Sequence, residues 1–143
     1  MERPYYETKE DLVKESQSVI YIENYSGQKL FKLPIKYGAD CIGIDKYDKP
    51  KALWEIKNRN VSRTTYKTYM ISLAKFTIAM QYADIMNIPF MLYVEWTNPL
   101  ERGILQCTNN LLKYIHLQKK NYREDIGDIE PCVYIPIELF NLI

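Results

Sequence analysis

Asp40, Glu55 and Lys57 are the residues of this chain whose types and spacing suit chemistry on a phosphodiester. In an extended segment successive side chains point to opposite faces, so Leu53, Glu55 and Lys57 share one face while Ala52, Trp54 and Ile56 share the other. Two opposite charges on the face of an otherwise apolar strand are costly to bury unless something neutralises them. Asp40 lies in phase with Ile42 and Ile44 on the preceding segment, so hairpin pairing brings it across from the strand that carries Glu55. Two carboxylates converging on one point form a site for a hard divalent cation. Mg2+, with Mn2+ as its substitute, prefers oxygen ligands and keeps several waters, so Asp40, Glu55, the Ile56 main-chain carbonyl and solvent satisfy it. Such an ion acidifies its water and offsets charge on a phosphate under attack, while the Lys57 ammonium orients the nucleophile or stabilises the transition state.

Positioning these groups requires particular elements. Leu12, Val13, Ser16, Val19 and Ile20 recur at helical spacing and predict an amphipathic helix from Glu7 to about Tyr21, followed by a turn over Asn24 to Gln28. Strands are predicted over Lys29 to Ile35, Asp40 to Asp45 and Lys51 to Asn58. The polar Lys46 to Pro50 segment closes the last two into an antiparallel hairpin. A long helix is predicted from about Thr65 to Asn87, with Tyr66, Tyr69, Met70, Leu73, Phe76, Thr77, Met80 and Ala83 on its apolar stripe. Phe90 to Trp96 is a continuous apolar run, as in a strand buried on both faces. Asn98-Pro99 marks a turn, Gly103 to Cys107 reads as another strand, and Asn109 to Asp128 is open between helix and loop. Cys132 to Ile135 predicts a last strand, and Pro136 to Ile143 a short closing helix. The order helix, three strands, helix, strand is an α/β arrangement around a mixed sheet, in one domain over residues 1–143.

Composition excludes several other chemistries. The 47% hydrophobic and 13% aromatic content fills a genuine core in a chain of this length. His116 is the only histidine, which rules out sites built from several histidines, and five isolated glycines supply no phosphate-cradling loop. Cys41, Cys107 and Cys132 are scattered and read as small apolar fillers. Nothing at the start of the chain reads as a signal peptide and no run spans a bilayer, so no membrane partner is expected. The protein is expected to be soluble and cytoplasmic. The net charge of +1 hides a local basic excess of Lys46, Lys49, Lys51, Lys57, Arg59, Arg63 and Lys67, with a second group at Lys119, Lys120 and Arg123.

The runs YGADCIGID, carrying Asp40, and ALWEIKNRN, carrying Glu55-Ile56-Lys57 fifteen residues later, resemble the PD-(D/E)XK nuclease superfamily. That group includes restriction endonucleases and archaeal Holliday-junction resolvases, and the ending DIEPCVYIPIELF is similar to its phage-associated members. Ala39 stands where the superfamily's motif has proline, while Glu7-Thr8-Lys9 is a second E-x-K with no strand character, a chance match. The resemblance implies a restriction-endonuclease-like core (αβββαβ), a Mg2+-dependent endonuclease acting on nucleic acid, and the host-cell cytoplasm if the gene is a phage's. It implies that Asp40 and Glu55 hold the ion while Lys57 assists the attacking water.

Family members often place another acid on the first helix, and Glu15 is the candidate ligand there, with Glu10 its competitor. Lys75 interrupts a stripe of Ile71, Ile78 and Tyr82, where a cation is out of place unless it faces phosphate, pairs with an acid or snorkels to solvent. It resembles a second-helix lysine of related nucleases, as Gln81 resembles a second-helix glutamine of exonuclease branches. Arg59, Arg63 and Lys67, with Tyr66, follow the catalytic strand and are candidates to grip the backbone of DNA. A two-stranded cut needs two centres, which makes a homodimer the expected assembly. The competing expectation is a non-catalytic module that keeps the fold and only binds nucleic acid or a partner protein.

Overall fold

A computed structural model describes residues 8–119 and 129–143. The first helix, α1 (Lys9–Ser26), starts at a capping box in which Thr8 accepts from the Asp11 N–H and Asp11 accepts from the Thr8 N–H. It stops at Gly27, whose φ of 72° closes the last turn. It therefore runs past the predicted end at Tyr21 and absorbs Asn24 to Ser26, because no breaker precedes the glycine. Glu7, the predicted start, lies outside the described residues. The predicted apolar face is also corrected. Leu12, Val13, Ser16 and Ile20 are exposed, Val19 of the predicted stripe packs on the core, and α1 buries Ser18 and Ile22 beside it.

Three strands follow: β1 (Lys29–Lys32), β2 (Cys41–Ile44) and β3 (Pro50–Arg59). Strand β1 ends short of the predicted Ile35 because Pro34 breaks it and Ile35–Tyr37 forms a 3-10 turn. The β2–β3 hairpin is antiparallel as predicted, with Cys41 opposite Trp54. Its turn is tied by Asp45, whose carboxylate accepts from the Tyr47 and Lys49 N–H groups.

The long predicted helix divides in two. Its first part is a strand, β4 (Thr68–Ser72), and only Leu73–Met86 is helical, as α2. Tyr69, Ile71 and Ser72 are buried, and Ser72 then caps α2 by accepting from the Lys75 N–H. Beyond Asn87, in the left-handed conformation, β5 (Phe90–Thr97) runs parallel to β3 and is joined through Asn98-Pro99 to antiparallel β6 (Leu100–Gln106). Within 109–128, a 3-10 segment at Asn109–Tyr114 leads to β7 (Ile115–Lys119). Lys120 and Arg123 of the second basic group lie outside the described residues. Strand β8 (Ile129–Pro136) precedes a 3-10 turn at Ile137–Leu139 and β9 (Asn141–Leu142), where a closing helix was predicted.

The main sheet is mixed, in the order β1-β2-β3-β5-β6-β9, and β4, β8 and β7 form a second, smaller sheet. One face of the main sheet packs on α1 through Leu30, Cys41, Ala52, Trp54, Ile56 and Tyr93 around Ile22. The other packs Leu53, Phe90, Leu92, Val94 and Trp96 against Phe76, Ala79 and Ala83 of α2 and against β4 and β8. Strand β5 is buried on both faces, as its apolar run predicts. All three cysteines are buried, in keeping with the filler reading.

Gly38 links this architecture to the candidate site. It holds φ at 74°, and a Cβ there would stand 2.6 Å from the Lys75 carbonyl oxygen and 3.0 Å from the Ala79 nitrogen, both backbone atoms. The loop before Asp40 thus touches the α2 backbone directly. Gly38→Ala is expected to lower stability by about 3 kcal/mol, on the order of 10 °C in Tm, since a left-handed non-glycine and a backbone clash add. Gly27 has the same kind of φ but nothing within 4 Å of its would-be Cβ. Gly27→Ala is therefore expected to cost only about 1 kcal/mol. Equal melting shifts for the two variants would show that the Gly38 contact has no energetic weight.

Candidate active site

Asp40 immediately precedes β2, and its N–H donates to the Trp54 carbonyl at 2.9 Å. Its carboxylate reaches across the hairpin, where Oδ2 accepts from the Ile56 N–H at 2.8 Å. One backbone bond and one side-chain bond thereby fix Asp40 against β3 on both sides of Glu55.

Strand alternation then sorts the faces. Leu53 belongs to the core beneath α2, while Ala52, Trp54 and Ile56 belong to the core beneath α1, so Glu55 and Lys57 face α2. Glu55 is 5% exposed, and one of its oxygens, Oε2, lies 2.6 Å from the Lys75 ammonium. The other, Oε1, is buried and met by no hydrogen-bond donor, with the Asp40 carboxylate as a neighbour. A buried carboxylate oxygen left unsatisfied is costly, and in native proteins such an atom points to a proton, a water or an ion that completes it.

The electrostatics agree with this geometry. Burial, followed by the neighbouring negative charge of Asp40, raises the Glu55 carboxyl; Lys75 pulls it down, and the net result is a pKa pushed up to about 8. Lys57 is exposed as a residue, although neighbouring protein partly desolvates it. The loss of hydration, and after it the positive charge of Arg59, hold its pKa below the usual lysine value. Asp40 and Glu55 act in the opposite sense on Lys57. Two acids and two ammonium groups therefore stand within electrostatic reach of one another.

Glu55 binds its proton more tightly in the folded chain than at the ordinary carboxylate value of 4.5. The stability it contributes is fully present below that value and is lost as pH rises toward 8. The ion-free protein is expected to melt at progressively lower temperature between about pH 5 and about pH 8, and Glu55→Gln is expected to flatten that slope. Thermal melts across this range in EDTA decide it. Parallel slopes for the two proteins would contradict a raised Glu55.

Of the other candidates, Glu15 is not brought to the pair. Its carboxylate is 3.3 Å from Lys32, and it belongs to α1, which covers the opposite face of the sheet. Among the described residues no group of three or more His, Cys, Asp or Glu side chains is gathered to hold a metal ion. Glu10 is exposed on the first turn of α1, Gln81 is exposed on α2, and the exposed His116 packs edge-on to Tyr134. The Arg59 guanidinium lies over the Tyr69 ring, Arg63 pairs with Glu101 at 3.3 Å, and Lys67 and Tyr66 are exposed on the loop between β3 and β4.

Lys75 takes the acid-pairing alternative, entering the centre through its contact with Glu55; the sequence did not name that acid, because it comes from a distant strand. One neighbour went unread. Buried Tyr69 borders the site, since the charge on Glu55 adds to burial in raising its hydroxyl.

The donors fit a divalent cation: two carboxylates on one sheet face, one with an orphaned buried oxygen, beside a lysine on the same face. No helix among the described residues is long and apolar enough to cross a membrane. The profile of a protein family described as "Phage putative PDDEXK endonuclease" matches residues 1–143, and no curated protein matches the chain.

Proposed function

This chain belongs to the phage PDDEXK endonuclease family, a family of nuclease hydrolases, and from that premise we propose that it cuts DNA by Mg2+-dependent hydrolysis at Asp40, Glu55 and Lys57. The observation that carries this reading is the buried, unsatisfied Oε1 of Glu55 beside Asp40, a place that a divalent ion completes and an inert scaffold has no use for. Asp40, Glu55 and the Ile56 carbonyl hold the ion, and Mn2+ substitutes for it. When bound, the ion supplies Lewis acidity and offsets charge at the scissile phosphate.

The chain's own residues do the rest. Asp40 is held in place by the Ile56 N–H, which aims its carboxylate along β3 toward Glu55. Lys57, its ammonium kept less basic than usual, orients the attacking water and faces the phosphate as negative charge develops. Arg59 ends the catalytic strand, Arg63 and Lys67 follow it, and the three neutralise the phosphates of the bound backbone. A homodimer pairs two such centres for a cut through both strands, and the host-cell cytoplasm is where the substrate is met.

The test is incubation with plasmid, linear, single-stranded and four-way-junction DNA in Mg2+, Mn2+ or EDTA. Cleavage is expected with either ion and none with EDTA. A protein that binds these DNAs and cuts none of them is instead a binding module that has kept a nuclease fold.

A further inference from the structure

We propose that Lys75 guards the ion's seat: its ammonium holds Glu55 in the ion-free protein and gives Glu55 up when a divalent cation binds. The inference rests on the reading of Asp40 and Glu55 as metal ligands, and it names how that centre stays closed until loaded.

Three observations carry it. The first is the contact, 2.6 Å from the Lys75 ammonium to Oε2 of a carboxylate that is almost wholly buried, so the pair is a short, charge-assisted bond. The second is where Lys75 stands. Ser72 caps α2, and Lys75 is the third residue of that helix, in the first turn. The positive end of the helix dipole disfavours a cation there, so α2 alone gives the ammonium no reason to remain; Glu55 does. The third is the asymmetry of Glu55, with Oε2 on the ammonium and Oε1 unsatisfied. The Lys75 ammonium serves one oxygen of Glu55 and leaves the other without a donor, and that is the place an ion between Asp40 and Glu55 would serve.

A divalent cation on Glu55 and an ammonium on the same carboxylate repel at a group that is almost wholly buried, where screening is weak. Lys75 is the group that can move. Its side chain is 39% exposed whereas that of Glu55 is 7% exposed, so the ammonium has solvent to retreat into and the carboxylate has none. Lys75 is accordingly a positioning residue. It keeps Glu55 aimed into the site and keeps two repelling acids from springing apart, and its departure marks loading.

The experiment uses isotope-labelled wild-type protein and Mg2+ alone, read by NMR, so no variant has to fold. The Glu55 carboxyl carbon reports ion binding, and the coupling across the hydrogen bond between the Lys75 ammonium nitrogen and that carbon reports the pair. In EDTA the coupling is expected to be present. On adding Mg2+ the Glu55 carbon is expected to shift while the coupling is lost and the Lys75 ammonium becomes mobile. If the Glu55 carbon shifts and the coupling persists, the ion binds alongside Lys75, which overturns the guard and leaves the metal site standing. If Glu55 does not respond to Mg2+ at all, the metal site falls and the guard with it.

Discussion

Asp40→Asn and Glu55→Gln are each expected to reduce Mg2+-dependent cleavage by at least about a thousandfold, roughly 4 kcal/mol of transition-state stabilisation, without unfolding the protein. The size follows from the chemistry, because a neutral amide binds a hard cation far more weakly than a carboxylate does. Retention of the fold follows from the geometry. Asparagine still offers an oxygen to the Ile56 N–H that now donates to Asp40 Oδ2. Glutamine keeps the shape of Glu55 while removing a buried charge that its surroundings resist. Single-turnover cleavage measured beside circular dichroism melts separates loss of chemistry from loss of structure. A folded Glu55→Gln protein within tenfold of wild type would exclude Glu55 as a ligand.

Lys57→Ala is expected to slow cleavage by about a hundred- to a thousandfold while changing stability by less than about 0.5 kcal/mol. The contrast with the acids lies in what survives. Lys57 is exposed, and on the proposed reading it serves the reaction rather than the ion, so the variant should bind Mg2+ with unaltered affinity, readable by calorimetry. Lys57→Arg should not restore the rate, because a bulkier and more strongly basic guanidinium cannot take the place of a compact ammonium. Equal losses of metal affinity and of rate in Lys57→Ala would move this residue from the reaction to the architecture of the ion site.

The β2–β3 hairpin and the shared face of Glu55 and Lys57 were legible because a strand has a period of two, so one register assigns every side chain. The same clarity fails at 65–87. Tyr69, Met70, Leu73 and Phe76 satisfy a helical stripe, yet Tyr69 and Ile71 also alternate as a strand does, and pairing with β8 decides for the strand. Ser72, as a helix cap, was the mark that divides the two elements.

For α1 the helix was legible and its orientation was not. Leu12, Val13 and Ile20 look like the inner stripe, but the sheet takes Ser18 and Ile22, and Ser18 reaches Asn58 at 3.3 Å. Orientation about a helix axis depends on what the partner sheet offers, and that information lies on β3. The same holds for Glu15, which the resemblance offers as a ligand and tertiary packing sets beside Lys32. Lys75 shows the limit most plainly: its oddity in an apolar stripe was visible, whereas its partner was supplied by folding.

The most direct measurement is the anomalous scattering of Mn2+ soaked into crystals of the wild-type protein. The predicted result is one strong peak between the carboxylates of Asp40 and Glu55, on the α2 side of the main sheet. A peak elsewhere, or none at saturating Mn2+ with Lys75 still seated on Glu55, would contradict the metal centre from which the rest was reasoned.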